Sequence, residues 1–567
     1  MSVFRNKSRA VAVILIVALA VSLTGAGYFY AQNQAKYHQG IMNGVFLALM
    51  FGEGGGDTHA YTFVVDDDGV KGVDCDFNTI EEAVENLPAT GGSIYVRSGT
   101  YVLNQRLNVS SNTLIRGEGY STLITTGNTV TETLIYISGN SNITISNLHI
   151  DCKGVTGVLM RFSTQCRIEN CYIISSTSSE KYAVNAQYSE YVYVIQNLIT
   201  GSSGIRVEIC HAVSILGNTL QEKNSSISVC ESDIISIQEN TIKNTENETA
   251  INLWSCSDGV LSGNILRYVW RTSPHISHGI YLSDSERFSI LENQIYQVWD
   301  YGIYVNWTSD ITISGNTVTS TQDGIHAEVC DGVVISGNKI ERVRDNGVYE
   351  YFCKWSVVCG NGIETANCGI YIEHSHTSSV SGNSIYNTDE YGIYVDWSCD
   401  SSISSNTIVD SKHGLFVYNS PSSTITGNSL TGITQTGMKI FNSYSSSISS
   451  NILENIGSCG IYLYFHSSLL TVSENNIRNV GSDGIYMYYY VDNCTISSNV
   501  VYNATNGITL ENIFFNHIDG NLVRNTSVGI NENGTSNWNY FIGNNLYGNT
   551  KAINKVGANT TETNNVP

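Results

Sequence analysis

The chain is poor in charged residues, and above all in positive charge. Only 14% of its 567 residues are charged, and 28 lysines and arginines stand against 50 aspartates and glutamates, for a formal net charge of -22 at pH 7. Nucleic-acid binding needs clustered lysine and arginine for the phosphates, so we expect no nucleic-acid partner. An acidic surface rich in hydroxyl groups and aromatic rings suits carbohydrate or divalent cations, although the same charge also keeps a long protein soluble.

Several motifs of enzymes and metal proteins are absent as well. The sequence has no paired CxxC, no HExxH, no phosphate-binding glycine loop and no Ser-His-Asp order. Its 14 cysteines are too few for a disulfide-dense framework in a chain of this length. Four share one phase of a repeat, and we expect them to stack as buried turn residues, with a Cys330 to Cys353 disulfide as an option. These four are Cys210, Cys256, Cys330 and Cys353.

The N-terminal segment carries an export signal. Three basic residues among the first nine precede an uncharged run at residues 10–35, an order typical of a secretion signal or a signal anchor. No clean small-x-small cleavage site follows, so we expect residues 1–35 to stay as an N-terminal membrane anchor and residues 36–60 to be a linker. The rest of the chain is then extracellular or at the cell surface, and ten Asn-x-Ser/Thr sequons outside the anchor fit a glycosylated exported protein.

A repeat organises most of the remaining sequence. An asparagine closes a short strand eighteen times from Asn147 to Asn544, mostly 22 to 24 residues apart. Each unit has an alternating strand such as Gly392 to Asp396, a Ser-rich turn and a second strand that ends in Gly-Asn or Ser-Asn. A period of this size, made of short strands without helical patterning, predicts a parallel β-solenoid over residues 131–555, followed by a tail at 556–567. Asparagines that stack at one turn can bond to one another and to the backbone.

The segment before the repeats carries a resemblance. TIEEAVENL at residues 79–87 predicts a short helix with Thr79 as N-cap and Glu82 closing a capping box. The run NTIEEAVENLPATGGSIYVRSGTYVL, followed by SNTLIRGEG, resembles the N-terminal segment of the pectate-lyase-like superfamily of right-handed parallel β-helices. That resemblance implies a capping helix and first rungs at residues 61–130. An acidic run at residues 66–68 lacks the alternating spacing of a calcium loop and is interpreted as a solvated turn.

The repeats carry a second resemblance. ITISGN, VVISGN, SSVSGN and STITGN are similar to the carbohydrate-binding and sugar-hydrolase class of β-helix repeat in secreted and archaeal surface proteins. Together the two resemblances cover residues 61–554. They imply an all-β, single-stranded right-handed parallel β-helix of about eighteen or more rungs.

The outward face of the first strand in each repeat is unusually aromatic. Side chains alternate between core and surface along a strand, and equivalent positions of successive repeats stack into columns. We call the two outward columns, two and four residues after the strand's glycine, the first and second column, and both together the track. The first column is Tyr281, Tyr304, His326, Tyr349, Tyr371, Tyr394, Phe416, Lys439, Tyr462 and Tyr486. The second column is Ser283, Asn306, Glu328, Tyr351, Glu373, Asp396, Tyr418, Phe441, Tyr464 and Tyr488.

The aromatic members of the track suggest a sugar-binding surface, because exposed tyrosines can stack on sugar rings while their hydroxyls bond to them. The alternative is that tyrosine is only a good strand former on a half-exposed face. We predict that substrate is bound by Tyr304, Tyr349, Tyr371, Tyr394, Trp307 and Trp397. The carboxylates of Glu328, Glu373 and Asp396 would repel one another at ~5 Å unless a cation or a shared proton relieves them.

Three schemes fit the centre of the track. In a glycoside hydrolase, Glu373 and Asp396 on adjacent rungs would be about 5 Å apart, and Glu328 and Glu373 about 9.5 Å, near the retaining and inverting separations. In a polysaccharide lyase or epimerase, the same three carboxylates could hold calcium while His326 acts as base. In the third scheme the track holds a glycan without chemistry.

The sequence contains only fragments of the motifs of known β-helix enzymes. Pectin-hydrolysing β-helices carry Asn-Thr-Asp, paired Asp, Gly-His-Gly and Arg-Ile-Lys, whereas this chain has Asn387-Thr388-Asp389 and His413-Gly414 without the rest. We therefore expect an exported surface protein that binds polysaccharide, with cleavage or modification left open. The alternative is a non-catalytic structural or adhesion protein in which the solenoid is a rigid spacer. A third hypothesis is copper binding through His374 and His376.

Overall fold

The computed structural model describes residues 61–175, 181–202, 204–221, 226–246, 249–270 and 277–567. The predicted anchor and linker lie outside these residues. In the part of the chain that is described, no helix is both long enough and apolar enough to cross a membrane. Residues from Tyr61 onward form one compact unit.

This unit is a parallel β-solenoid, as the repeat predicted. Its strands form three faces, here called the first, second and third sheets, and neighbouring strands within each face are parallel. The first sheet holds the track and consists of Leu107–Asn108, Thr133–Ser138, Thr156–Arg161, Val184–Gln187, Ile205–Glu208, Ile227–Cys230, Ile251–Trp254, Ile280–Ser283, Ile303–Asn306, Ile325–Glu328, Asn346–Tyr351, Gly362–Glu373, Ser384–Asp396, His413–Tyr418, Met438–Phe441, Ile461–Tyr464, Asp483–Tyr488, Val500–Glu511, Leu522–Asn533 and Lys551–Asn554.

The other two faces use shorter strands. The second sheet consists of Phe63–Val65, Gly92–Val96, Thr113–Thr126, Ser141–Asp151, Thr164–Glu169, Glu190–Ile195, His211–Leu216, Asp233–Gln238, Ser257–Ser262, Glu286–Leu291, Ser309–Ser314, Val334–Ser336, Val357–Cys359, Ser379–Ser381, Ser402–Ser404, Thr424–Thr426, Ser447–Ser449, Thr471–Ser473, Thr495–Ser497, His517–Asp519, Tyr540–Ile542 and Thr561–Thr563. The third sheet adds Gly99–Leu103, Tyr172–Ile174, Leu198–Thr200, Thr219–Gln221, Thr241–Lys243, Ile265–Val269, Gln294–Val298, Thr317–Thr319, Lys339–Glu341, Thr407–Val409, Ser429–Thr431, Ile452–Ile456 and Asn476–Val480. Long strands such as Ser384–Asp396 belong to both the first and the third sheet.

The core fills the inside of the coil with stacked aliphatic side chains. In the strand Ile303–Asn306, Ile303 and Val305 are fully buried, whereas Tyr304 and Asn306 are half-buried on the outside. The strict alternation follows from the pleat of the strand, which sends successive side chains to opposite faces. The predicted inward and outward sets are confirmed in this strand, whereas the outward positions Ser283, His326 and Phe416 are buried.

Buried asparagines form a ladder along one corner, which confirms the structural interpretation of the repeat. Asn383 is typical: its Nδ2 donates to the Val358 carbonyl and to Asn406 Oδ1, both at 2.9 Å. Its backbone N–H also donates to Asn406 Oδ1, at 3.0 Å. The ladder consists of Asn197, Asn218, Asn240, Asn264, Asn293, Asn316, Asn338, Asn361, Asn383, Asn406, Asn428, Asn451, Asn475, Asn499, Asn521, Asn544 and Asn565. Each buried turn thereby satisfies polar groups that water cannot reach.

The first two asparagines of the predicted series are not on the ladder. Asn147 and Asn170 have positive φ angles, of 54° and 53°. On later turns a positive φ belongs to the residue just before the ladder asparagine, for example Gly217 at 65°. The ladder position next to Asn170 is Cys171, whose backbone N–H donates to Asn197 Oδ1 at 3.0 Å. Asparagine adopts the left-handed region easily, so sequence spacing alone could not separate the two positions. At its other end the ladder reaches Asn565, which lies within the predicted tail at residues 556–567. This part of the predicted tail therefore belongs to the solenoid.

The predicted helix is present at Ile80–Glu85, and the Thr79 side chain accepts from the Glu82 backbone N–H. The predicted capping box is not closed, because Glu82 Oε2 pairs with Lys71 Nζ at 2.9 Å instead. Ile80, Ala83 and Val84 are buried and join the core. The helix packs on the strands Phe63–Val65 and Gly92–Val96.

All 14 cysteines are free, so the disulfide option is wrong. Cys330 Sγ donates to the Glu328 carbonyl at 3.2 Å and Cys353 Sγ to the Ala327 carbonyl at 3.5 Å. The four predicted turn cysteines are buried, as expected, but only this pair lies on neighbouring turns. Other turns of the same column carry serine, and the Cys210 backbone N–H, for example, donates to Ser232 Oγ at 3.0 Å.

Candidate functional site

The track forms as predicted, residue by residue. In the first column, Tyr304, His326, Tyr349, Tyr371 and Tyr394 are direct partners on consecutive parallel strands. The second column has the same continuity, and Glu328, Tyr351, Glu373 and Asp396 follow one another from strand to strand. Glu373 and Asp396 are therefore adjacent, whereas Glu328 and Glu373 are separated by one turn.

Part of the first column is stacked ring on ring. Tyr371 and Tyr394 have centroids 4.7 Å apart and planes 12° apart, and Tyr394 and Phe416 are at 5.0 Å and 6°. Each of these rings thus covers the face of the next. At these three residues the covered faces leave ring edges and hydroxyls toward the outside, and sugar binding by the first column stays a prediction.

Two of the tyrosine hydroxyls hold the carboxylates of the second column. Tyr304 donates to Glu328 Oε2 and Tyr349 donates to Glu373 Oε2, both at 2.5 Å. Burial, followed by the neighbouring carboxylate, raises the pKa of both phenols above the ordinary range. Short bonds of this kind fix Glu328 and Glu373 as hydrogen-bond acceptors in a defined orientation.

Asp396 has a different environment from Glu373. Its Oδ1 is buried without a hydrogen-bond partner, and Tyr394 reaches only Oδ2, at 3.4 Å. Burial, followed by the negative charge of Glu373, raises the pKa of Asp396 to about 6. Two neighbouring carboxyl groups whose environments differ in this way are the usual arrangement for one acid and one base or nucleophile.

His326 is not the exposed base that the column predicted. It is 7% exposed, and its Nδ1 lies 2.9 Å from Asp323 Oδ2. Tyr304 and Tyr349 contact its ring edge-on, as the column order implied, and Tyr301 stacks on it at 4.3 Å. An outward position is thus buried by its aromatic neighbours. Sequence reasoning missed Asp323, although its spacing of three residues from His326 across a glycine was visible.

The two tryptophans are more exposed than the rings of the first column. Trp307 and Trp397 are 62% and 51% exposed just past the strand ends. Trp397 stacks on His374, and His374 on Phe352 at 4.8 Å and 6°. Phe352, which sequence reasoning did not single out, therefore belongs to this edge of the track.

In the described part of the chain, the track has no group of side chains positioned to bind a metal ion. Among the described residues, one group of three acidic, histidine or cysteine side chains could converge on an ion, and it is Asp66, Asp67 and Asp68, far along the chain from the track. Glu373 is one turn from Asp396 but Glu328 is three turns from it, so these three do not converge as calcium ligands. For copper, His374 is sandwiched between rings and His376 Nδ1 accepts from the Cys399 backbone N–H at 3.1 Å.

A coil of three parallel sheets, with an asparagine ladder at one corner and a track on one face, defines the protein as a parallel β-helix. The family described as "Right handed beta helix region" matches residues 133–268, 203–351 and 278–451, which together are more than half of the chain. The chain therefore belongs to the right-handed β-helix family. The family described as "Periplasmic copper-binding protein (NosD)" matches residues 390–566, which leaves out His374 and His376. No curated protein matches the chain.

Solved structures of similar architecture have low identity to the chain. Tailspike protein 3 of bacteriophage CBA120 is 15% identical with a TM-score of 0.44, and the match covers 52% of each chain, so this chain spans about half of that protein. The pre-mature gene product 12 of bacteriophage phi29 is 13% identical with a TM-score of 0.40, over 86% of this chain and 70% of that one. A periplasmic alginate epimerase is 13% identical with a TM-score of 0.28, over 72% and 85%. At such scores these matches bear on neither substrate nor activity.

Proposed function

We propose that this protein is an exported β-helix that binds a polysaccharide along the track and cleaves it between Glu373 and Asp396. The observation that carries the proposal is the contrast between these two adjacent carboxyl groups: Tyr349 bonds to Glu373, while Asp396 has a buried, unpartnered Oδ1 and a pKa raised to about 6. Trp397 supplies an exposed ring directly after the Asp396 strand, and Trp307 supplies another three turns before the Glu373 strand. The match to a periplasmic family supports export, and the membrane anchor at residues 1–35 is part of the proposal.

The roles follow from the two environments. Strands of one sheet are ~4.8 Å apart, so carboxyl groups at opposed positions are close to the separation used by retaining glycosidases. Glu373, held as an acceptor, would attack the anomeric carbon while Asp396 donates its proton to the leaving oxygen. Water, deprotonated by Asp396, would then release the sugar from Glu373. No metal enters this scheme.

The test is a screen of polysaccharides for binding and for product release, with and without calcium. Asp396→Asn should lower turnover at least about 100-fold and change affinity little, because the proton donor is lost while the surface is kept. Trp397→Ala should weaken binding about 10-fold through loss of a stacking face. Asp400→Asn, at an exposed aspartate four residues after Asp396 and past the end of its strand, is the matched control and should change neither.

The pH profile gives a separate check. Asp396 must be protonated to act as acid, so turnover should fall as the pH rises through about 6. Binding that is unaffected by every track variant, or absent for all polymers, would favour the non-catalytic spacer instead. The self-stacked rings of the first column favour that alternative, because each ring has a packing partner without a ligand.

A further inference from the structure

Lys439 is the single lysine or arginine among the twenty positions of the track between Tyr281 and Tyr488. It lies in the first column between Phe416 and Tyr462, each its direct partner on a neighbouring strand. Its Nζ sits 4.8 Å from the centre of the Phe416 ring. The side chain is half-buried on an otherwise aromatic column.

The charge of Lys439 has no counter-ion in the described part of the chain. The nearby Lys412 is paired with Glu390 at 2.6 Å, whereas no described carboxylate comes within ion-pair distance of Lys439. Burial lowers the pKa of Lys439, and burial, followed by the charge of Lys439, lowers the pKa of His413. A half-buried cation loses hydration, and a cation–π contact with Phe416 offsets only part of that cost.

This situation is unusual in a protein with 22 more acidic than basic residues, where a carboxylate partner is the easiest compensation. We infer that Lys439 is the subsite for an acidic group on the bound glycan. This inference rests on the proposed function of the track and names the class of ligand.

The position of Lys439 restricts that class further. In the register of the sheet, Asp396 is followed by Tyr418 and then by Phe441, the second-column residue of the Lys439 strand. Lys439 is thus two turns, or roughly 10 Å, from Asp396 along the axis. A polymer with an acid on every ring would place an anion against Glu373 and Asp396, where like charges repel. The ligand is a glycan whose acidic groups are separated by neutral sugars.

The experiment compares three polymers on the full chain. Hyaluronan carries a carboxylate on alternate rings, carboxyl-reduced hyaluronan has the same backbone without charge, and polygalacturonate carries a carboxylate on every ring. We expect the wild type to bind hyaluronan about 10-fold more tightly than the reduced polymer at low salt, and more tightly than polygalacturonate. Lys439→Gln should abolish the preference for the acidic form, and Lys439→Arg should keep it.

Lys339→Gln is the matched control, because it removes the same charge from an exposed lysine paired with Glu341 on the third sheet. Equal loss in Lys439→Gln and Lys339→Gln would overturn the inference, as would a wild type that binds acidic and reduced polymers equally. In the second case binding itself remains, so the proposed function stands while the ligand class is wrong. If no polymer of this set or of the wider screen binds, the proposed function fails and the inference with it.

Discussion

Glu350 is a buried acid inside the coil, behind the track. Its side chain is 0% exposed, Oε2 accepts from Ser356 Oγ at 2.6 Å, and Oε1 has no hydrogen-bond partner. Burial raises its pKa from 4.5 to about 7. Period-two alternation between Tyr349 and Tyr351 already placed it inward, so the sequence contained the signal that sequence reasoning left unused.

This residue should make the protein less stable as the pH rises. Between about pH 4.5 and 7 the unfolded chain has lost this proton and the folded chain keeps it, so the folded state binds more protons. The free energy of unfolding therefore falls across that interval, by about 3 kcal/mol for this group. Glu350→Gln should remove this part of the pH dependence and be more stable than wild type at pH 8.

Urea unfolding at pH 5, 6, 7 and 8 measures the effect. Glu364→Gln, at an exposed glutamate on the third sheet, serves as control and should follow the wild type. A Glu350→Gln variant with an unchanged pH slope would show that Glu350 is not the group responsible.

At the scale of the strand, the recurring glycines have a steric cause. Gly369 precedes the Ile-Tyr-Ile run of its strand, and a Cβ there would lie 2.5 Å from the Gly392 carbonyl oxygen and 2.6 Å from Ile385 Cγ2. The same crowding recurs at Gly347, one turn earlier. Here glycine is needed for close approach of neighbouring turns, and no positive φ is involved. The sequence showed the recurrence but not this reason.

Gly369→Ala should therefore destabilise the protein by about 2 kcal/mol or more, because backbone must move to admit the methyl group. Gly362→Ala is an informative control within the same strand, since nothing lies within 4 Å of its Cβ position. We expect that variant to be neutral or slightly stabilised. Thermal and urea unfolding of both would decide the point, and equal effects would contradict the steric explanation.

In the site, as in the strands, the sequence pattern predicts which residues are neighbours, whereas side-chain packing decides how they interact. The columns of the track, with Glu373 opposite Asp396, could be predicted because strand alternation and repeat length fix which residues are neighbours. Three other features could not be predicted, because they depend on rotamers of side chains on adjacent turns. They are the burial of His326, its bond to Asp323 and the lack of a counter-ion at Lys439.

At the scale of the whole molecule, each turn contacts mainly the turns before and after it, as the strand pairing shows. Stability in such an array is close to a sum of turn and interface terms. A destabilising substitution should therefore lower the stability of its own turn and the neighbouring turns more than that of distant turns.

Amide hydrogen exchange can test this in Gly369→Ala. Protection should fall in the strands from Asn346–Tyr351 to His413–Tyr418, while Ile461–Tyr464 and later strands keep their wild-type rates. Gly362→Ala should leave the whole pattern unchanged. A uniform loss of protection along the coil would instead mean that the described unit unfolds as one cooperative body.

The sequence by itself determined the solenoid, its period, the inward and outward sets of each strand and the order of residues along the track, because these depend only on strand pleat and repeat length. Tertiary structure decided which asparagines bond in the ladder, that Tyr371 and Tyr394 stack on each other, and that Asp396 and Glu373 differ in environment. Those properties arise between turns, where neighbouring side chains compete for the same space and the same hydrogen bonds.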